Sequence, residues 1–297
     1  MQPECTDACK FAGMSVAETA RWIESTLSKQ YEATEGAAIA RELLLYQFQA
    51  EKKDWIRIQQ ATLTTAMRVL LEQQVSRLLD QEPLQYVLNE AWFCGFRFHV
   101  EKGVLIPRPE TEELVEWVIS NCRFPVEDLS ILDVGTGSGC IAISLKRRIR
   151  SAHVWALENS SAALGIAKKN ALSLGAPIQF IHQDLFNQKS WQQLPQLDFI
   201  VSNPPYVTPA EKKEMAPQVL EFEPAEALFT TTQEPLLYYR ALAQLFLQKG
   251  KNNSQLFCEI NPLYAGELSK EWKQMGLCSE TKLDMQGKER MIRAWVA

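Results

Sequence analysis

Apolar residues in the first quarter of the chain recur every three or four positions, which is typical of amphipathic helices. Two further stretches, residues 40–48 and 62–80, repeat the pattern. Residues 14–80 contain no proline and only one glycine, so nothing in their composition interrupts helix formation. We predict a small N-terminal helical bundle over residues 1–82. The first of these apolar sets is Ala17, Ala20, Ile23 and Leu27.

A second pattern begins after Pro83, where the helical spacing stops. Aromatic and aliphatic residues then alternate with polar ones, and Gly103 is followed by the apolar run 104–106. Alternation on both sides of a glycine predicts a β-hairpin with its turn near Gly103. We assign residues 83–109 to this hairpin linker. The alternating positions are Phe96, Arg97, Phe98, His99 and Val100.

From residue 110 to residue 297, short apolar runs alternate with longer amphipathic ones. The pattern predicts strands that alternate with helices, and therefore an α/β fold with helices on both faces of a mostly parallel sheet. The predicted helices cover residues 111–120, 139–150, 160–173, 235–248 and 264–275. The predicted strands cover residues 131–134, 153–157, 178–182, 198–202, 255–260, 279–285 and 290–296. The last two flank Gln286-Gly287-Lys288 and form an antiparallel edge.

The composition of the 297 residues is that of an ordinary soluble protein, with 46% hydrophobic and 23% charged residues. No apolar run reaches the ~18 residues that a membrane helix needs, and the first residues lack the apolar core of a signal peptide. We therefore expect a cytoplasmic protein. A net charge of −5 does not favour a protein that binds DNA through a broad basic surface.

The seven cysteines show no C-x-x-C pair. Cys5 and Cys9 are close in sequence, but no second pair of cysteines or histidines stands at the spacing of a zinc site. We predict free thiols in a reducing compartment and no metal site.

The first candidate for binding chemistry is a glycine-rich turn that follows Asp133, between a predicted strand and a predicted helix. Glycines allow a tight turn and a close approach of the backbone to a ligand. Open α/β sheets bind ligands at the carboxyl ends of their strands. The G-x-G-x-G spacing differs from the dinucleotide fingerprint, and the absence of G-K-[ST] excludes a P-loop. The turn consists of Gly135, Thr136, Gly137, Ser138 and Gly139.

Acidic residues follow the next two predicted strands. Glu158 ends the second strand, where a carboxylate can accept hydrogen bonds from two ribose hydroxyls. Asp184, Leu185 and Phe186 follow the third strand, where the acid could bind an adenine amine and the phenyl ring offers a flat apolar face. Together with the glycine turn, these residues indicate a nucleoside site.

Four residues after the fourth predicted strand are the most specific signal: Asn203, Pro204, Pro205 and Tyr206. The prolines fix the backbone and remove two N–H donors. The Asn203 amide and a rigid backbone carbonyl can then hold a flat polar group, with the Tyr206 ring beside it. A planar –NH2 group fits this arrangement best.

The glycine turn, the acids and the Asn-Pro-Pro-Tyr segment resemble the class I S-adenosylmethionine-dependent methyltransferases, which have a Rossmann-like fold. Residues 83–116, which include Ile-Pro-Arg-Pro-Glu-Thr-Glu at 106–112, narrow the resemblance to the release factor N5-glutamine methyltransferases. The resemblance covers residues 83–297. The N-terminal helices match that family in size and character but not by motif.

The resemblance implies methyl transfer from S-adenosylmethionine to the glutamine amide nitrogen in the Gly-Gly-Gln motif of class 1 release factors, which act in translation termination. It places the cofactor on residues 135–139, 158, 184–186 and 203, and the acceptor amide on residues 203–206. The N-terminal domain is then expected to dock the substrate. We expect a monomer that binds no DNA directly. The alternative is an adenine-N6 methyltransferase, which would use the same Asn-Pro-Pro-Tyr logic on a flipped DNA or RNA base.

The chain departs from the family pattern at several positions. Asn89 replaces a glycine, and asparagine tolerates a left-handed backbone, so we expect the turn to survive. Glu158 replaces an aspartate and Phe186 a tryptophan, which lengthens the acidic arm and keeps the aromatic face. Residues 230–239 and 261–262 lack the family's usual glycines, and we expect this to change the details of the pocket rim.

Overall fold

The computed structural model of the protein describes residues 13–122, 128–208, 211–230 and 234–296. The chain forms two compact units, and the division falls between Asn89 and Glu90. Cys5 and Cys9 lie outside the described residues.

The first unit is helical. Ser15 begins its first helix with a capping box, in which the Ser15 hydroxyl accepts from the Glu18 N–H and the Glu18 carboxylate accepts from the Ser15 N–H. Ile23, Leu43 and Leu78 are fully buried in the core of this unit. The predicted bundle is present, but the second helix begins at Ala33 and not at residue 40. The prediction began too late because Gly36 and polar residues interrupt the apolar pattern before residue 40. The helices are Val16–Leu27 (α1), Ala33–Gln47 (α2), Trp55–Ile58 (α3), Thr65–Leu79 (α4) and Leu84–Leu88 (α5).

Asn89 ends α5 with a φ of 52° and a ψ of 33°, which is the left-handed conformation. The expectation that asparagine supports this turn in place of glycine is confirmed.

A β-hairpin is present within residues 83–109, as predicted, but its turn lies earlier in the chain than Gly103, so the predicted position of the turn is wrong. Ala91–Phe93 (β1) pairs with Phe96–Phe98 (β2), and the turn falls at Cys94 and Gly95, both with positive φ. Residues 104–106 form no strand, because their N–H groups bond elsewhere. The Val104 N–H donates to the Glu101 carbonyl, and the Ile106 N–H donates to the Glu223 carboxylate.

The remaining predicted elements of the second unit are present, with boundaries that differ by a few residues, and two short helices, Pro217–Phe222 and Ala225–Leu228, were not predicted. The helices are Pro109–Ser120 (α6), Cys140–Arg148 (α7), Ser161–Ser173 (α8), Pro217–Phe222 (α9), Ala225–Leu228 (α10), Leu237–Lys249 (α11) and Ala265–Gln274 (α12). The strands are Ser130–Val134 (β3), His153–Glu158 (β4), Gln179–His182 (β5), Leu197–Ser202 (β6), Gly250–Glu259 (β7), Leu277–Leu283 (β8) and Glu289–Val296 (β9).

These seven strands form one sheet in the order β5-β4-β3-β6-β7-β9-β8. The first five strands in this order are parallel, and β9 pairs antiparallel with both β7 and β8. This is the predicted seven-stranded, mostly parallel sheet with an antiparallel edge. The chain reverses its direction of winding between β3 and β6, which is where open α/β sheets bind their ligands.

Alternate residues along the strands face two separate cores. Leu132 and Ile200 pack on one face with residues of α11 and α12. Ile131 and Phe199 pack on the other face with residues of α6 and α7. The sheet is therefore covered on both faces, which explains why its central strands are apolar at nearly every position.

Within the described residues, no helix has the length and apolar character that a membrane span requires. The same part of the chain holds no cluster of three or more histidine, cysteine or acidic side chains suited to a metal ion.

Candidate active site

A cavity of about 440 Å³ opens at the carboxyl ends of the central strands. Its lining includes the predicted glycine turn after β3, Glu158 at the end of β4, and Asn203 after β6. Because β3 is paired with both β4 and β6, the three predicted segments reach the same edge of the sheet.

The glycine turn is anchored from below by Asp133. Its Oδ2 accepts from the Thr136 hydroxyl at 2.6 Å and from the Ala142 N–H at 3.1 Å. Burial raises the pKa of this carboxyl to about 7, although both hydrogen bonds oppose the rise. Its Oδ1 is buried without a partner among the described residues. The turn therefore rests on an acid that titrates near neutral pH.

Two positions of the turn require glycine for different structural reasons. Gly137 has a φ of 55°, and a Cβ there would meet no protein atom within 4 Å, so its backbone is open on the cavity side. Gly139 has a φ of 84°, and a Cβ would lie 2.9 Å from Cδ1 of Ile143. Gly137 thus lines the cavity, whereas Gly139 lets α7 pack closely and does not line it.

The Glu158 carboxylate links the glycine turn to the start of α8 by two hydrogen bonds. Its Oε2 accepts from the Gly137 N–H at 2.8 Å, and its Oε1 accepts from the Ser160 N–H at 2.9 Å. Each oxygen keeps a lone pair for a further donor. The longer arm of glutamate reaches the glycine turn itself, and the carboxylate stays on the wall of the cavity.

Asn170 of α8 ties the turn to the segment after the hairpin. Its Oδ1 accepts from the His99 N–H at 2.7 Å, and its Nδ2 donates to the carbonyls of His99 and Ser138, both at 2.9 Å. Asn170 is only 2% exposed. Both N–H bonds of this amide are used to hold backbone, so the position of the turn depends on a side chain far away in sequence.

The predicted segment of residues 184–186 follows β5 and lies beyond Glu158, because β5 pairs with β4. Asp184 and Leu185 line the cavity, and Phe186 does not. The Phe186 ring packs instead against Tyr238, with centroids 5.1 Å apart, and Tyr238 lines the cavity. Burial, followed by the negative charges of Asp184, Glu226 and Glu158, raises the pKa of Tyr238. This part of the cavity is therefore acidic.

The Asn-Pro-Pro-Tyr segment has partners that the sequence did not indicate. Nδ2 of Asn203 donates to the Thr111 hydroxyl at 3.1 Å. The Thr111 hydroxyl donates to Oε2 of Glu259 at 2.6 Å, and the Tyr206 hydroxyl donates to Oε1 at 3.0 Å. Asn203, Pro204 and Pro205 line the cavity, whereas Tyr206 lies behind them.

Glu259 is fully enclosed at the end of β7, and burial raises the pKa of its carboxyl while the two hydroxyl donors oppose the rise. The same environment, together with the charge of Glu259, raises the pKa of Tyr206. Tyr206 is therefore a neutral donor, not a base.

The Ile-Pro-Arg-Pro-Glu-Thr-Glu segment is held against residues 222–229. Arg108 donates to Oε1 of the buried Glu223 at 2.5 Å, and the Ile106 N–H donates to Oε2 at 3.1 Å. Because Glu223 neutralises Arg108, the Arg108 side chain adds little positive charge to the cavity wall.

Comparisons with known proteins agree with this geometry. The Methyltransferase small domain family matches residues 114–248. A release factor glutamine methyltransferase of Flavobacterium psychrophilum is 44% identical over 220 residues, which are 73% of this chain and 76% of the relative. The chain belongs to the release factor glutamine methyltransferase family.

Another release factor glutamine methyltransferase, from Bacillus cereus, is 30% identical over 95% of this chain and 99% of its own length. Among solved structures, a 16S rRNA N2 G1207 methyltransferase of T. thermophilus superposes with a TM-score of 0.50 at 18% identity, over 70% of this chain and 50% of that one. This likeness confirms the class I methyltransferase fold predicted from the sequence.

Four site residues were missed by sequence reasoning: Thr111, Asn170, Tyr238 and Glu259. A signal existed for two of them. Thr111 lies in the segment that indicated the release factor glutamine methyltransferase family, and Glu259 lies at the end of the predicted strand 255–260, on the ligand edge of the sheet. No pattern singled out Asn170, which reaches the site from within α8. Tyr238, the second residue of α11, was not singled out either, although it lies in residues 230–239, the segment related above to the rim of the pocket.

Among the departures from the family pattern, Asn261 makes contacts of its own. Its Nδ2 donates to Glu211, and its Oδ1 accepts from the Leu263 N–H. Residues 231–233 lie outside the described residues.

Proposed function

We propose that this enzyme transfers the methyl group of S-adenosylmethionine to N5 of the glutamine in the Gly-Gly-Gln motif of class 1 release factors. The observation that carries the proposal is a single cavity that joins Gly137 and Glu158 to Asn203 and Pro204. A nucleoside-binding turn and a binder of planar amides thus face the same space. Membership of the release factor glutamine methyltransferase family supports the choice of substrate.

The residues present fit S-adenosylmethionine. Glu158 has free lone pairs for ribose hydroxyls, Asp184 can accept from the adenine amine, and Tyr238 offers a ring face, which Phe186 supports from behind. The nearby carboxylates favour a ligand with a positive charge. When bound, the cofactor supplies an electrophilic methyl group on its sulfonium. Gly135, Thr136 and Ser138 complete the wall around it.

The acceptor end has to overcome a chemical difficulty, because the lone pair of an amide nitrogen is delocalised into its carbonyl. We assign two acceptors, Oδ1 of Asn203 and the Pro204 carbonyl, to the two N–H bonds of the substrate glutamine. Holding both orients the nitrogen and favours its loss of planarity. Pro205 keeps this loop rigid, and Tyr206 supports it from behind through Glu259. This is catalysis by positioning and electrostatics, without a strong base.

The deciding experiment incubates the enzyme with labelled S-adenosylmethionine and a purified class 1 release factor, beside a duplex and a single-stranded DNA. Fragmentation mass spectrometry locates the label. We expect one methyl group on the motif glutamine, none on DNA, and none on a release factor with alanine in place of that glutamine. Label on adenine, with the release factor unmodified, would establish the adenine-N6 alternative.

We also propose that the helical unit, residues 13–89 as described, docks the substrate. It has its own core and supplies no residue to the cavity described above. A variant that begins at residue 90 is expected to bind S-adenosylmethionine and to methylate a short Gly-Gly-Gln peptide at the full-length rate, but to methylate an intact release factor slowly. Equal rates on the intact factor would refute docking. A monomeric state and a cytoplasmic location stay predictions.

A further inference from the structure

Glu259 is 1% exposed and accepts two hydrogen bonds, one from the Thr111 hydroxyl and one from the Tyr206 hydroxyl. Thr111 lies in α6 and Glu259 ends β7, so both reach the Asn-Pro-Pro-Tyr segment from outside it. A buried carboxyl is costly unless it is bonded, so its place behind the loop requires a reason.

The hydrogen bonds have a fixed direction. The single hydroxyl proton of Thr111 is engaged by Glu259, so toward Asn203 the Thr111 oxygen can only accept. It therefore takes Nδ2 of Asn203, at 3.1 Å. The two ends of an amide cannot be exchanged without losing this bond. No donor in the described parts of the chain reaches Oδ1 of Asn203, which is left for a ligand.

We propose that Thr111 and Glu259 are positioning residues that lock the Asn203 amide with its oxygen toward the substrate, an inference that rests on the proposed function. The lock makes Asn203 an acceptor. The fixed Asn203 oxygen favours a substrate group that presents an N–H bond to it. A substrate group that presents an oxygen, such as a carboxylate or an inverted amide, is disfavoured because two oxygens would then face each other.

The test removes the hydroxyl and then restores it. Thr111→Val keeps the shape of the side chain and is expected to lower kcat for the release factor by about ten- to a hundredfold, since Asn203 is then free to turn. Thr111→Ser keeps the hydroxyl and is expected to recover most of that loss. Affinity for S-adenosylmethionine, measured by calorimetry, should change little in either variant, which also shows that both are folded.

A matched control is Thr281→Val, which removes a hydroxyl that donates to Glu289 on the exposed final hairpin. We expect wild-type kcat from it. A Thr111→Ser variant as slow as Thr111→Val would overturn the proposal, because the hydroxyl would then not be the active element. A Thr111→Val variant with wild-type kcat would overturn it as well.

A double-mutant cycle separates positioning from a general structural role. If Thr111 acts through the Asn203 amide, adding Thr111→Val to Asn203→Ala should cost no further rate. A full additional loss in the Asn203→Ala background would contradict the proposal. The wild-type enzyme in the same assay distinguishes failure of the proposed function from failure of the positioning role of Thr111 and Glu259. Without methylation of the release factor by wild type the proposed function fails, whereas an active wild type with additive losses refutes only the lock.

Discussion

The two ends of the cavity are built in different ways. At the proposed cofactor end, the glycine turn presents backbone, and the Thr136 side chain turns inward toward Asp133. At the proposed acceptor end, the Asn203 side chain lines the cavity and is held by hydrogen bonds that run through Thr111 to Glu259. The first end depends on the absence of a Cβ, and the second on the orientation of one amide.

This difference predicts different kinds of sensitivity. A backbone surface loses affinity when atoms are added to it, because a new side chain occupies the space of the ligand. An oriented amide loses rate when atoms are removed, because a preorganised hydrogen bond disappears from the reacting centre. Affinity for the cofactor and rate of transfer should therefore separate when the two ends are changed in turn.

The largest effect on rate is expected at Asn203. Asn203→Ala should lower turnover about 10²–10³-fold and leave cofactor affinity nearly unchanged. Asn203→Asp should also be slow, because it loses the donor to Thr111 and adds a charge near the sulfonium. The measurement is single-turnover methylation of the release factor beside calorimetry with S-adenosylmethionine. A rate for Asn203→Ala within a few-fold of wild type would refute the assigned role.

At the other end, Gly137→Val should lower affinity for S-adenosylmethionine by on the order of tenfold or more, with the fold intact. Gly287→Val is the matched control, because Gly287 also has a positive φ, 81°, and open space around it, but lies in the last hairpin. Both variants place a β-branched residue at a positive φ, which strains the backbone. If calorimetry gives equal affinities for the two, the glycine turn does not hold the cofactor.

The smallest effect is expected beneath the turn, at Asp133, where the free energy of unfolding should depend on pH. The folded protein raises the pKa of this carboxyl from 3.8 to about 7, so it binds a proton more tightly than the unfolded chain does. Its contribution to stability is full below pH 4 and is lost as the pH rises through 7.

Asp133→Asn keeps an acceptor for Thr136 and Ala142 but cannot ionise. As the pH rises from 5 to 8, wild type should therefore lose free energy of unfolding that the variant keeps. The difference between the two, measured with denaturant, should shift in favour of the variant. A difference that stays constant over this range would show that Asp133 does not titrate there.

The segments that form the proposed cofactor end could be predicted from the sequence to lie together, because each is a local feature of the chain. Gly135 to Gly139 form one turn between a recognisable strand and helix, and Glu158 ends the next strand. The acceptor end could be predicted only in part. Asn203 was visible, but Thr111 is 92 positions away from it, and Glu259 is 148 positions from Thr111. Such contacts depend on which elements are neighbours in the fold, here α6, β6 and β7, and no local pattern specifies that.

The hairpin shows the same limit on a small scale. The alternation from Phe96 onward was real, but alternation does not say which neighbouring segment pairs with a strand. The turn at Cys94 and Gly95 selects Ala91–Phe93, while the backbone of Ile106 bonds to Glu223, which lies 117 positions away. Phe186 likewise does not take its expected place on the cavity wall, because its ring packs against Tyr238.

Asn170 has a mechanical consequence. Its amide clamps His99 and Ser138 together through three hydrogen bonds, so the hairpin and the glycine turn cannot drift apart without breaking buried contacts. The two segments should loosen and tighten as one unit. The exchange of the His99 amide hydrogen with solvent, which Asn170 protects, would then report how firmly the distant turn is held.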